Sequence, residues 1–169
     1  MPARISPHKL ETDDPGCEHR LQMCTLLIAG LDGLSVCALE IERDGPSYTV
    51  DTLSAIDSSH PHAELTFIVG ADTARTLPTW REPAKLLQLA DLAVAARSGT
   101  DRREVLESIA SLGDSSRVRF LATPLLENSS SLARERVALG EPIDELVGGA
   151  VAGYIAEHGL YRAGAGAGS

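Results

Sequence analysis

A chain of 169 residues has room for one domain and falls short of two of ordinary size. With 43% hydrophobic, 23% charged and 4% aromatic residues it has a globular composition, and its core has to be built from Leu, Val, Ile and Ala. Twenty-four acids against 15 bases leave a formal charge of −9, which excludes broad binding to nucleic-acid polymers or an anionic membrane and makes any positive contacts to an anionic ligand local ones.

The chain opens on Met1-Pro2 and a Pro7-His8-Lys9 loop, without the apolar stretch of a signal peptide. No apolar run nears the roughly 18 residues of a membrane span. Cys17, Cys24 and Cys37 match neither a zinc site nor a redox pair, and an odd count is a poor disulfide framework. A cytoplasmic protein is expected.

Asp13-Asp14-Pro15-Gly16 is a turn with acids at a helix start. Cys17, Leu21, Cys24, Leu27 and Ile28 then recur at helical spacing, and Gly30 and Gly33 close the helix. From Leu34 to Glu42 the alternation of Leu34, Val36 and Ala38 with polar or small residues predicts a strand. After the loop Asp44-Gly45-Pro46-Ser47, Thr49 is the expected N-cap of a helix that ends at His60-Pro61.

Three short apolar strands follow. Glu64 to Val69 runs into Gly70-Ala71-Asp72, Leu92 to Ala96 into Arg97-Ser98-Gly99, and Val118 to Leu121 into Thr123-Pro124. Helical segments at Glu82 to Ala90 and Asp101 to Leu112 separate them. This alternation predicts βα units and a parallel sheet in an α/β fold, with ligands received beyond the carboxyl ends of the strands, where Gly70-Ala71-Asp72 and Arg97-Ser98-Gly99 fall. The last third reads as helices from Ser129 to Leu139 and from Asp144 to His158, stopped by Gly159. One domain over 1–162 and a disordered Gly/Ala tail over 163–169 are expected.

Ser129-Ser130-Ser131 with Arg134 one turn on is either a phosphate site at a helix N-terminus or plain capping. Trp80, the only tryptophan, lies between Pro78 and Pro83, where a flat ring either stacks on a ligand or covers the edge of the core. Asp72 suits a ribose hydroxyl or a metal, or else caps the next helix. Pro7-His8-Lys9 brings two potential phosphate ligands together. His19 and His158 read as surface or core-edge residues. P-loop, zinc-cluster and nucleophile-elbow motifs are absent from the sequence.

In their order these pieces resemble bacterial nicotinate-nucleotide adenylyltransferase: Pro7-His8-Lys9; Glu18-His19-Arg20-Leu21 with Met23; Gly45-Pro46-Ser47-Tyr48-Thr49-Val50-Asp51-Thr52-Leu53; Glu64-Leu65 through Gly70-Ala71-Asp72; Trp80; Arg97 with Gly99; Ser129-Ser130-Ser131 with Arg134; and Tyr154-Ile155 with His158-Gly159-Leu160-Tyr161. The resemblance covers residues 2–162. It implies a Rossmann-like nucleotidyltransferase fold and adenylyl transfer from ATP to nicotinate mononucleotide, giving deamido-NAD and pyrophosphate, with Mg²⁺ held mainly on substrate phosphates. It further implies that Thr49 and the backbone at Arg81 receive the nicotinate carboxylate while Trp80 stacks on the pyridine ring. Gly70 and Asp72 contact the dinucleotide, and Ser130, Ser131 and Arg134, with His8 and Lys9, bind ATP phosphates.

Two departures stand out. The family's S-S-T-x-I-R becomes Ser129-Ser130-Ser131-Leu132-Ala133-Arg134 here, which keeps hydroxyl and guanidinium and predicts a small effect. The family's opening strand, G-T-F-(D/N)-P-x-H-x-G-H loop and first helix are not matched, so no catalytic histidine is assigned, and an N-terminally truncated chain, poorly stable and inactive by itself, is expected. The competing readings are a non-catalytic nucleotide-binding remnant and another adenylyl- or cytidylyltransferase of the same fold; the G-P-S-Y-T segment and Trp80 weigh against the latter. The sequence leaves the oligomeric state open.

Overall fold

The computed structural model describes residues 1–5, 14–96, 101–113, 115–122 and 129–162. The chain divides into two compact units, one comprising Met1–Ser47 with Glu127–Ser169 and the other Tyr48–Leu126.

The unit Tyr48–Leu126 holds a parallel sheet. Its elements run α3 (Thr49–Ser59), β1 (Thr66–Gly70), α4 (Ala71–Thr76), a 3₁₀ turn (Leu77–Thr79), α5 (Pro83–Leu89), β2 (Asp91–Ala96), α6 (Arg102–Ile109) and β3 (Val118–Ala122); α1 and α2 belong to the other unit. The strand order is β1-β2-β3, all parallel, with Phe67 opposite Leu92 and Leu92 opposite Val118. Side chains alternate across a strand, so Phe67, Val69, Leu92, Val94, Val118 and Phe120 share one face. That face carries the core, against Leu53 of α3, Ala74 of α4, Leu86 and Leu87 of α5, and Val105 and Ile109 of α6. Burying it is the main stabilising term of this unit. The opposite face bears Ile68 and Leu121, which are 64% and 39% exposed. Both α3 and the three strands fall where the sequence predicts them to within two residues.

The other unit is helical. It contains α1 (Cys17–Ile28), α2 (Leu39–Glu42), α7 (Ser130–Leu139), α8 (Asp144–Val147) and α9 (Gly149–Glu157). Its core gathers Ile143, Val151, Ala152, Ile155 and Leu160, with Met23 and Leu26 of α1 packed against them. His19 is a core-edge residue and His158 a surface one, and His19 joins α1 to α9: its Nδ1 lies 2.8 Å from Tyr154 Oη and its ring 5.3 Å from that of His158. The N-terminal residues are tied down by Arg20, which donates to the Ala3 carbonyl at 2.6 Å, and by Ser47, whose N–H donates to Ile5 and whose hydroxyl accepts from Arg4.

Three local expectations are corrected. Residues 34–38 form no strand, and Leu39–Glu42 is a helical turn. Ala, Leu and Glu favour that turn, Glu40 and Glu42 suit its positive end, and no partner strand stands beside it among the described residues. The segment from Asp144 to His158 is broken at Gly148, whose φ of 79° and ψ of 151° suit glycine alone. Thr49 is the first helical residue of α3 rather than its cap, which is Tyr48. The tail over 163–169 lies outside the described residues.

Candidate functional site

In the unit Tyr48–Leu126, Arg81, which follows Trp80 in the chain, reaches the turn at Thr49 with its side chain. Tyr48 has extended backbone, φ −87° and ψ 129°, and no side chain caps the start of α3. The first N–H groups of a helix have no intrahelical partner, so the turn at Thr49 presents donors and the positive end of the helix dipole. Arg81 reaches this turn with its side chain: the guanidinium lies over the Tyr48 ring, 4.8 Å from its centroid, and Nη1 is 3.5 Å from Asp51 Oδ2. Its two partners flank Thr49.

Trp80 follows the 3₁₀ turn. Its backbone N–H donates to the Leu77 carbonyl at 3.0 Å and its indole N–H to Thr76 Oγ1 at 3.1 Å. The ring sits 6.2 Å from Phe67, tilted by 59°, and packs at the edge of the unit's core while remaining half-exposed. The core-edge role is therefore real, and it leaves ring surface for a ligand. Glu82 has φ 46° and ψ 54°, a left-handed conformation unusual for a non-glycine residue and more so before Pro83. Strain of this kind persists only where its surroundings enforce it.

At the carboxyl end of β1, Gly70 is the N-cap of α4. Its φ is −70°, and a Cβ built there would meet nothing within 4 Å. Neither backbone conformation nor packing requires glycine at this position. Asp72 lies in the first turn of α4 and caps nothing. Its exposed carboxylate takes the Arg75 guanidinium, which also binds Glu104 at 2.7 Å. The Asp72 hydrogen bond, with Glu104 behind it, raises the Arg75 pKa above its ordinary value.

In the other unit, Ser129 is the N-cap of α7 and its hydroxyl accepts from the Leu132 N–H at 3.1 Å. Capping is thus the task of Ser129. Ser130 and Ser131 occupy the first helical positions with exposed side chains, Ala133 is buried beneath them, and Arg134 is half-buried. His8, Lys9, Arg97 and Gly99 lie outside the described residues. Asp51, Tyr48 and the conformation of Glu82 carry no role in the sequence reading. An acid three residues into a helix next to a threonine was the available signal for Asp51.

Two solved structures share this architecture. Both are of Plasmodium falciparum nicotinic acid mononucleotide adenylyltransferase. The one complexed with NaAD has a TM-score of 0.68 over 94% of this chain and 78% of that one. The one complexed with APC has a TM-score of 0.66 over 87% and 76%. At 20% identity each they establish the fold, a Rossmann-like nucleotidyltransferase. No family model matches the chain. Curated relatives do: proteins named "Probable nicotinate-nucleotide adenylyltransferase" from Symbiobacterium thermophilum and Thermomicrobium roseum. The first is 39% identical over 97% of this chain and 80% of its own length, the second 37% over 96% and 76%. Identity at this level over nearly the whole chain settles the matter: the chain belongs to the nicotinate-nucleotide adenylyltransferase family.

Proposed function

We propose that the chain binds nicotinate mononucleotide and ATP for adenylyl transfer, which yields deamido-NAD and pyrophosphate in NAD biosynthesis. The observation that carries the reading is the uncapped first turn of α3 at Thr49, tied to the Trp80-Arg81 segment by the Arg81 side chain. An uncapped turn with a cation beside it suits a carboxylate, and an adjacent half-exposed indole suits the aromatic ring that bears it.

In this reading the N–H groups at Thr49 and Arg81 receive the nicotinate carboxylate and Trp80 stacks on the pyridine. Gly70 lets the nucleotide approach the backbone, and Asp72 accepts from its hydroxyls. Ser130, Ser131 and Arg134 hold ATP phosphates at the start of α7, with His8 and Lys9 assisting. The mononucleotide phosphate attacks the α-phosphorus of ATP in line and pyrophosphate leaves. No protein nucleophile is needed, since the protein orients both partners and offsets the charge on the phosphoryl oxygens. Magnesium, when bound, would lower the negative charge of the phosphates that carry it. No group of three or more metal-ligating side chains stands together among the described residues.

A reducing cytoplasm as compartment belongs to the same reading, supported by three free cysteines. Among the described residues no helix is long and apolar enough to cross a membrane.

The sequence holds no G-T-F-(D/N)-P-x-H-x-G-H loop, so binding is a more direct readout than turnover. Thr49→Pro removes the Thr49 donor where proline is well tolerated, the first position of a helix after an extended residue. By calorimetry it should weaken nicotinate mononucleotide at least about tenfold, the weight of roughly one charge-assisted hydrogen bond, and leave ATP affinity and the unfolding midpoint nearly unchanged. Unchanged mononucleotide affinity would remove Thr49 from the site.

A further inference from the structure

The carboxylate reading rests on two backbone donors, at Thr49 and at Arg81, that come from different elements. We infer that Asp51 is a positioning residue which sets the spacing of these two donors by holding the Arg81 side chain. The inference rests on the function proposed above.

Three observations support it. First, Tyr48 and Asp51 lie on either side of Thr49 in the first turn of α3, and the Arg81 guanidinium engages both, the ring at 4.8 Å and the carboxylate at 3.5 Å. The residue that supplies one donor is thereby fastened to the turn that supplies the other. Second, the Asp51 and Arg81 side chains are 40% and 53% exposed. An ion pair so exposed weighs little in folding stability, so its effect is chiefly on local geometry. Third, Glu82 is held left-handed between Arg81 and Pro83. Backbone in that state relaxes unless both sides are restrained; α5 restrains it from one side, and the Arg81 tether does so from the other.

The consequence is selectivity. A carboxylate presents acceptors only and can take both N–H groups, whereas a carboxamide turns an NH₂ toward one of them. Discrimination between nicotinate and nicotinamide therefore depends on two donors held at a fixed spacing, and loosening the tether relaxes it.

The test measures dissociation constants of the full chain for nicotinate mononucleotide and nicotinamide mononucleotide by calorimetry, with thermal unfolding as the folding control. Asp51→Asn should raise the constant for nicotinate mononucleotide about fourfold, the most an exposed ion pair can transmit to the site, and leave that for nicotinamide mononucleotide within about twofold. Asp51→Glu should recover most of the loss. Arg81→Met keeps the backbone donor and the aliphatic stem over Tyr48 and should match Asp51→Asn, and the double variant should lose no more than either single one, as coupled residues do. Arg81→Met also serves if Asp51→Asn fails to fold. The inference is overturned if Asp51→Asn leaves the nicotinate constant within about twofold, if the two losses multiply in the double variant, or if both mononucleotides weaken together. Should Thr49→Pro leave nicotinate mononucleotide unaffected, the carboxylate reading itself fails. Should Thr49→Pro weaken it while Asp51→Asn does not, only the tether is lost.

Discussion

At Gly70 the demands of the fold and of the proposed nucleotide site can be told apart. Its φ of −70° is open to any residue, and its Cβ position faces empty space. Gly70→Ala should therefore leave stability within about 1 kcal/mol, since nothing in the fold opposes a methyl group there and the gain through the unfolded chain is offset by alanine's weakness as an N-cap. ATP, approaching the same backbone from outside, should bind several-fold more weakly. A melting curve and an ATP titration on one variant check both halves, and unchanged ATP affinity would take Gly70 out of the nucleotide site. Individual residues differ in how far the sequence exposes them. Trp80, Gly70 and Asp72 stand out as candidates because loop and strand-end positions limit what such residues can do, whereas Thr49 enters as a candidate through the family resemblance. Asp51 and Tyr48 are not singled out, because their importance lies in a contact with Arg81, some thirty residues on, that only the folded unit brings about.

At the start of α7 one of three adjacent serines caps the helix and the other two are exposed. Ser129 accepts from the Leu132 N–H, so Ser129→Ala should cost about 1 kcal/mol in unfolding free energy. Ser130→Ala and Ser131→Ala should cost a few tenths at most by the same measurement, because both side chains are exposed, yet each should weaken ATP in a binding titration. Equal stability losses at all three would assign the whole run to capping. Elements whose signals agree are read correctly from the sequence: α1 between its turn and Gly30, α3 before His60-Pro61, and the three strands. The misreadings arise where signals compete. Leu34 to Glu42 alternates like a strand, but its second half is composed of strong helix formers and settles as one turn. The apolar period across Val147 and Val151 masks Gly148, whose positive φ divides α8 from α9. A glycine inside a periodic stretch is ambiguous until its backbone angles are known.

At the scale of the whole molecule, the sheet edge is the feature most exposed to other molecules among the described residues. Among the described residues no strand pairs with the outer edge of β1, and on the face away from the core Ile68 is 64% exposed. Parallel sheets are ordinarily covered on both faces, and an open apolar edge invites pairing between molecules. Light scattering should show concentration-dependent association of the chain, and Ile68→Lys should reduce it; a dilute-to-concentrated series of constant mass would contradict this. The charge of −9 opposes such association only at long range and is screened by salt, so the effect should grow as ionic strength rises. Charge has a second bearing on function. An acidic protein that takes two anionic substrates has to rely on local donors, and the ones proposed above are the start of α3 with Arg81 and the start of α7 with Arg134. The most direct measurement of the account exploits the single tryptophan: titration of Trp80 emission with nicotinate mononucleotide. A ring stacked on the indole predicts saturable quenching, lost in Thr49→Pro over the same concentration range. Calorimetric binding of the mononucleotide with no change in Trp80 emission, or no binding at all, would contradict it.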